Sequence, residues 1–212
     1  AVPSRRGVPF PPPRTPMTTI READLIATVA DALQFISYYH SPDFIQAMGR
    51  AYELEQSPAA KDAIAQILTN SRMCAEGHRP ICQDTGIVTV FVKVGLNVRW
   101  EATQCLEEMI NEGVRRAYGH PDNRLRASIV ADPAGRRGNT KDNTPAVIHV
   151  ELVPGDHVDV TVAAKGGGSE NKSMFEMLNP SDSIVDWVMS VVPRMGAGWC
   201  PPGMLGIGIG GT

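Results

Sequence analysis

The sequence predicts an α+β fold, with an N-terminal helical segment followed by a mixed β-sheet flanked by helices. Apolar residues recur at helical spacing through most of residues 20–77. From Gly86 onward the pattern shifts to β-branched and alternating runs, which suit a pleated, half-buried surface. With 42% hydrophobic and 20% charged residues, the 212-residue chain has the composition of an ordinary globular protein.

Residues 1–16 stand apart, with six prolines, three arginines and no acid. Such a segment is expected to be an extended or disordered leader. Met17 reads as a natural initiator, which would make that leader a cloning remnant; a proline-rich docking arm is the alternative. The domain proper is therefore expected over 17–212. Thr19-Ile20-Arg21-Glu22 has the capping-box pattern, ahead of Leu25, Ile26, Val29, Leu33 and Ile36 at helical spacing. Ser41-Pro42 and Ser57-Pro58 each read as an N-cap with proline at the first helical position. The third helix carries Ile64, Ile67 and Leu68 and is expected to stop at Gly77.

Gly86–Val94 reads as a buried strand. A helix is expected over Glu101–Tyr118, with Cys105 on its apolar stripe as a small buried hydrophobe. Ala146–Leu152 and His157–Ala164 alternate as strands around Val153-Pro154-Gly155-Asp156, a hairpin signal. Ser181-Asp182 is expected to cap a helix through Val191, ended by Pro193 and Gly196. Alternating glycine and isoleucine in Leu205–Thr212 suggests a strand packed closely on another backbone. That strand would be an odd natural terminus, so the chain reads as a domain cut from a longer protein.

Several function classes are disfavoured. A net charge of −3 without a basic stripe gives no sign of nucleic-acid binding. No apolar run approaches the ~20 residues that span a bilayer. Four irregularly spaced cysteines do not make a secreted disulfide framework, which points to the reducing cytoplasm.

Four segments carry chemistry. Cys82-Gln83-Asp84-Thr85-Gly86 and Trp199-Cys200-Pro201-Pro202-Gly203 each place a thiol at a turn beside glycine or proline. A thiolate there can ligate metal; the plainer role is a buried structural cysteine. Asp84 can handle a proton or cap an Asx turn, and Gln83 can donate to a carboxylate or fix the turn. Arg126, in Leu125-Arg126-Ala127-Ser128, can grip a carboxylate with two bonds or stand as an ordinary surface charge. Lys165–Ser173 (KGGGSENKS) follows a strand and nearly fits the phosphate loop G-x-x-x-x-G-K-[ST], but Asn171 replaces the second glycine. A close backbone wall fits better, with the Gly168 amide facing a substrate carboxylate. A non-catalytic anion- or nucleotide-binding module remains the rival reading.

Taken jointly, these segments resemble the iron–sulfur class of fumarases (class I fumarate hydratases) and the related tartrate dehydratase α-type domain. The resemblance runs from about Thr18 to Thr212 and is densest in Arg79–Gly95, Leu125–Gly168 and Gly196–Thr212. It implies a hydro-lyase of the tricarboxylic acid cycle that interconverts fumarate and (S)-malate on a [4Fe-4S] cluster with one open iron. L(+)-tartrate dehydratase is the alternative. It further implies Cys82 and Cys200 as cluster ligands, Asp84 as catalytic, and Gln83, Asp84, Arg126 and Gly168 as substrate-binding. The third cysteine ligand would come from a C-terminal domain or a second subunit, leaving this chain inactive by itself. A C4 dicarboxylate is the implied substrate and a homodimer the expected assembly.

Overall fold

In the computed structural model, residues 17–200 and 203–210 are described. The expected leader, residues 1–16, lies outside them. Strand β1 (Thr19–Arg21) leads directly into helix α1 (Glu22–Tyr38), followed by α2 (Pro42–Leu54) and α3 (Pro58–Gly77). Then come β2 (Ile87–Gly95), β3 (Arg99–Glu101) and α4 (Leu106–Tyr118). A small ladder of β4 (Val130–Ala131) with β5 (Gly138–Asn139) precedes β6 (Val147–Val153) and β7 (Val158–Lys165). The last third holds α5 (Gly167–Glu170), α6 (Ile184–Val191) and a 3-10 helix over Val192–Trp199. The α+β class and the three N-terminal helices follow the sequence reading. No helix among the described residues is long and apolar enough to cross a membrane.

One core organises the domain. Val88, Val90, Val92 and Val94 point from one face of β2 into a cluster with Leu25, Ile26, Val29 and Leu33 of α1 and Met109, Ile110, Val114 and Ala117 of α4. The other face of β2 is more open, so the strand is buried on one side rather than two. There Phe91 stacks on His149 at 5.0 Å, and Lys93 sits 3.8 Å from Glu151. Ile110 has 0% exposure. Ile110→Val is therefore expected to cost about 1 kcal/mol through the space it leaves. A lower urea midpoint with an unchanged slope would register that loss.

The expected hairpin is not formed. In the sheet order β6-β2-β7, the central β2 pairs parallel with β6 and antiparallel with β7. Strands β6 and β7 are consecutive, yet β2 lies between them. The connection must cross two strand spacings, about 10 Å, which four extended residues can span. It is held across the end of β2 by Leu96 N donating to Val153 O (2.9 Å), Asn97 N to Gly155 O (2.9 Å) and Gly95 N to His157 O (2.9 Å). A Cβ on Gly95 would sit 2.6 Å from Gly155 O, so only glycine lets the crossing lie this close.

Other boundaries also differ from expectation. Thr19-Ile20-Arg21 forms no capping box, because it pairs in parallel with Arg99–Glu101. Arg21 stands at the N-cap of α1 without a side-chain capping bond, its guanidinium paired with Asp24 instead. The Glu22 carboxylate instead accepts from Thr103 N (2.7 Å) and Gln104 N (3.1 Å). Those contacts hold the segment before α4 in a bend outside the helix, so α4 starts at Leu106 and not at 101. Cys105 becomes its exposed N-cap rather than a core residue. Helix α3 runs through Gly77, and His78 takes the left-handed cap at φ 47°. Ser183, not Ser181, caps α6, its Oγ accepting from Asp186 N (3.2 Å). Pro193 does not end the helical path, which tightens into a 3-10 turn, but Gly196 does break it as expected, at φ 59° and ψ −156°. Residues 203–210 form no strand, and Ile209 is 73% exposed. They have no backbone partner among the described residues, and a strand without one has no ladder to close.

Candidate active site

The loop from α3 to β2 is pinned at its base and free at its tip. Ile81 N donates to Ser37 O (2.8 Å), Asn70 Nδ2 to Ile81 O (2.9 Å), and Arg79 Nη1 to Asp122 O (3.0 Å). The next two residues, Cys82 and Gln83, are exposed. The Cys82 thiol donates to Gln83 Oε1 at 3.2 Å. Asp84 turns inward and uses both oxygens. Its Oδ1 accepts from Gly86 N at 3.3 Å, which is the Asx turn. Its Oδ2 accepts from Gly168 N at 3.4 Å, across the sheet end. Gly86 itself has φ 87°, and a Cβ there would meet Lys165 N at 2.7 Å. That crossing therefore requires glycine too.

The glycine run meets the second cysteine as well. A Cβ on Gly166 would lie 2.9 Å from Asp84 Oδ2, and one on Gly168 would lie 3.7 Å from Cys200 Sγ. Asp84 and the Cys200 thiol thus sit against the same three-glycine segment, although they are far apart in sequence. Cys200 is exposed and caps the 3-10 helix in the left-handed region, at φ 62°. Pro201 and Pro202, expected to stiffen this turn, lie outside the described residues. The Gly168 amide is directed at Asp84 rather than left open, because a carboxylate is within its reach. At 3.4 Å that bond is long. Residues Gly167–Glu170 make a single helical turn, with Lys172 lying along Gly198.

Arg126 reaches the site through its backbone. Thr85 Oγ1 donates to Arg126 O at 2.6 Å, tying the Leu125–Ser128 segment to the Cys82 turn. The Arg126 side chain is exposed and makes no ion pair among the described residues. All the predicted site segments therefore adjoin the start of β2 and the end of β7. No group of three or more His, Cys, Asp or Glu among the described residues is placed to hold a metal ion. Cys82, in the turn of Asp84, and Cys200, against the glycine loop, are both exposed thiols. Cys74 is buried in α3, and burial pushes its thiol pKa up. A cleft of about 810 Å³ lies elsewhere, among Gln34, Tyr38, His78 and Arg79, and contains none of the candidate residues.

Three supporting residues have no role that the sequence assigns, although Thr85 stands in the Cys82 turn and Asn143 in a polar, turn-rich run that could line the site. Thr85 links the two loops as above. Tyr118, at the end of the α4 apolar stripe, donates its hydroxyl to Thr85 O at 2.6 Å. Asn143 donates to Gly86 O at 3.0 Å. Burial pushes the Tyr118 phenol up to about 12, with the Asp84 carboxylate adding to the shift. The neutral phenol is the form that the fold favours. Its stabilising share is present in full below the ordinary value of 10.0 and is lost as pH climbs toward 12. Phenolate absorbance should show a late-titrating tyrosine that Tyr118→Phe removes.

The sequence model of the family described as Fumarate hydratase (Fumerase) matches residues 26–212. The chain belongs to the fumarate hydratase family. It is 33% identical over 191 residues to a protein of Methanocaldococcus jannaschii provisionally named L(+)-tartrate dehydratase subunit alpha, covering 87% of this chain and 66% of that one. Against the anaerobic class I fumarate hydratase of Escherichia coli K12 it is 32% identical over 166 residues, 76% of this chain and 30% of the relative. Against fumarate hydratase 2 of Leishmania major it is 30% identical over 190 residues, 85% of this chain and 32% of the relative. The chain thus spans about two thirds of the tartrate dehydratase subunit and about a third of each of these fumarate hydratases. The turn of Cys82 and the loops of Arg126, Gly168 and Cys200 all fall inside the matched span of this fumarate hydratase family member.

Proposed function

We propose that the protein is the cysteine-bearing part of a hydro-lyase that adds water to fumarate and removes it from (S)-malate. The observation behind this reading is the meeting of Asp84 and the Cys200 thiol on the Gly166–Gly168 loop, with Cys82 in the same turn as Asp84. An exposed thiol against a loop without bulky side chains, and a second in the adjoining Asp84 turn, fit the donor chemistry of a [4Fe-4S] cluster, with Cys82 and Cys200 as two of its ligands. The third would come from another domain or subunit. When bound, the cluster's open iron supplies Lewis acidity toward the substrate's hydroxyl and carboxylate.

The chain's own groups bind and orient. Arg126, with no carboxylate to hold it among the described residues, offers its planar fork to one end of a C4 dicarboxylate. Gln83 donates its amide NH2 to the same ligand. The Gly166–Gly168 backbone lets a carboxylate approach closely, and Gly168 N turns to it from its long bond with Asp84. Asp84, half-buried beside both loops, is placed to hold or pass a proton at Oδ2. The reducing cytoplasm suits the free thiols, and a homodimer is the expected assembly. The exposed Phe175, Met177, Met189 and Met204 around the Cys200 end give a partner domain or subunit apolar surface to cover.

The nearness to the tartrate dehydratase subunit keeps L(+)-tartrate as a second substrate reading, with a separate β subunit as the partner. The deciding experiment assays the whole enzyme, reconstituted with iron and sulfide under anaerobic conditions, on fumarate and on L(+)-tartrate. Fumarate hydration with a much larger kcat/KM supports the first reading. Turnover of tartrate alone replaces it with the second, and turnover of neither rejects both.

A further inference from the structure

Asn143 has 0% exposure and a left-handed backbone at φ 64°. Asparagine tolerates that conformation better than most residues. Both ends of its amide are engaged. Oδ1 accepts from Ser128 N at 2.7 Å, and Nδ2 donates to Gly86 O at 3.0 Å. Ser128 lies two residues after Arg126, and Gly86 two residues after Asp84. One enclosed side chain therefore joins the backbone of the arginine segment to the backbone of the Cys82 turn. Thr85 Oγ1 makes the only other side-chain link between those segments among the described residues, at Arg126 O. Removing one partner of such a buried bond costs more than the bond itself contributes, because the group left behind has lost its water.

We propose that Asn143 is a positioning residue that fixes the spacing between Arg126 and the Asp84 turn, and with it the fit of the dicarboxylate. The proposal rests on the roles given above to Arg126 and Asp84. Asn143 itself is enclosed and acts through the two backbones that it joins. A purely space-filling residue would need neither bond. This one uses its acceptor on one loop and its donor on the other.

The test uses three single variants of the whole enzyme and one double variant. Asn143→Gly removes the side chain while tolerating the left-handed backbone. Asn143→Asp keeps the acceptor for Ser128 N but turns a second oxygen toward Gly86 O. Thr85→Val removes the other link. Asn143→Gly is expected to raise KM about tenfold or more with a smaller change in kcat. Asn143→Asp should do at least as much. The Asn143→Gly/Thr85→Val pair should be non-additive, since both changes act on one separation. Amide exchange at Ser128 should quicken in Asn143→Gly and stay slow in Asn143→Asp.

A lowered melting temperature with KM unchanged in both Asn143 variants would make the residue merely structural and overturn the proposal. If Asn143→Gly does not fold, Asn143→Asp and Thr85→Val still read the spacing through KM. If the unaltered enzyme turns over neither substrate, the functional reading fails separately. Amide exchange of residues 84–86 and 126–128 then decides, and unchanged protection in Asn143→Gly overturns the link itself.

Discussion

Replacing Cys82 or Cys200 by alanine in the whole enzyme is expected to remove its bound iron and to lower kcat by at least about 10³-fold. The size follows from the several kcal/mol of charge stabilisation that a Lewis-acid metal supplies, at one decade per 1.36 kcal/mol. The two thiols are not interchangeable with the others in the chain. Cys74 is buried among the α3 residues and its Sγ donates to Pro80 O at 3.5 Å, so it favours the neutral thiol over the thiolate that binds metal. Cys105 is exposed but caps the N-terminal end of α4, opposite the end at which Tyr118 meets the Cys82 turn. Cys105→Ala should therefore keep iron and activity. Iron content by elemental analysis, visible absorbance of the anaerobic protein and the hydration rate would be compared across the set. Full iron and full rate in Cys82→Ala would show that this thiol is no ligand.

The second large effect is expected at Arg126. Arg126→Lys should raise KM for the dicarboxylate about ten- to hundredfold while leaving iron content intact. The charge is kept and the bidentate geometry is lost, since an ammonium cannot present two parallel N–H groups. Its side chain has no ion pair among the described residues, and its backbone is fixed by Thr85. The substitution should therefore leave folding unaltered, so that binding alone moves. Kinetics on fumarate across a range of ionic strength would separate this from a long-range charge effect, to which lysine and arginine contribute equally. An unchanged KM would make Arg126 an ordinary surface charge.

What was legible in the sequence tracks how local the determining forces are. Helices α1–α4 announce themselves because their apolar stripes and Ser-Pro starts act within a few residues. Their ends fared worse: Thr19–Glu22 fits a capping box until a strand 80 residues later claims Thr19–Arg21. The β6–β7 hairpin signal failed for the same reason. Adjacent alternating runs look like partners, and nothing near them reports that β2 will lie between. At the site, the turn residues Cys82–Gly86 and the triple glycine were visible because glycine marks places where backbones meet. Tyr118 and Asn143 were not. One ends an ordinary apolar stripe, the other sits in a polar run, and only the folded chain gives their polar atoms partners.

The intercalated strand has a consequence for how the domain forms. Neither neighbour of β2 is nearby in the chain: Thr89 waits for Val147 on one side and for Ala163 on the other. Sheet assembly is therefore dominated by long loop closures, which slow folding. During synthesis the run Ile87–Gly95 must stay unpaired until the chain through Lys165 has emerged. An apolar strand with both edges open over that interval is prone to mispair with other chains. The Cys82 turn opens directly into this strand, and Asp84 reaches Gly168 only after β7 has docked. On the proposed function, metal loading would follow sheet closure, so low temperature or chaperone supply during expression should govern how much protein can be loaded at all.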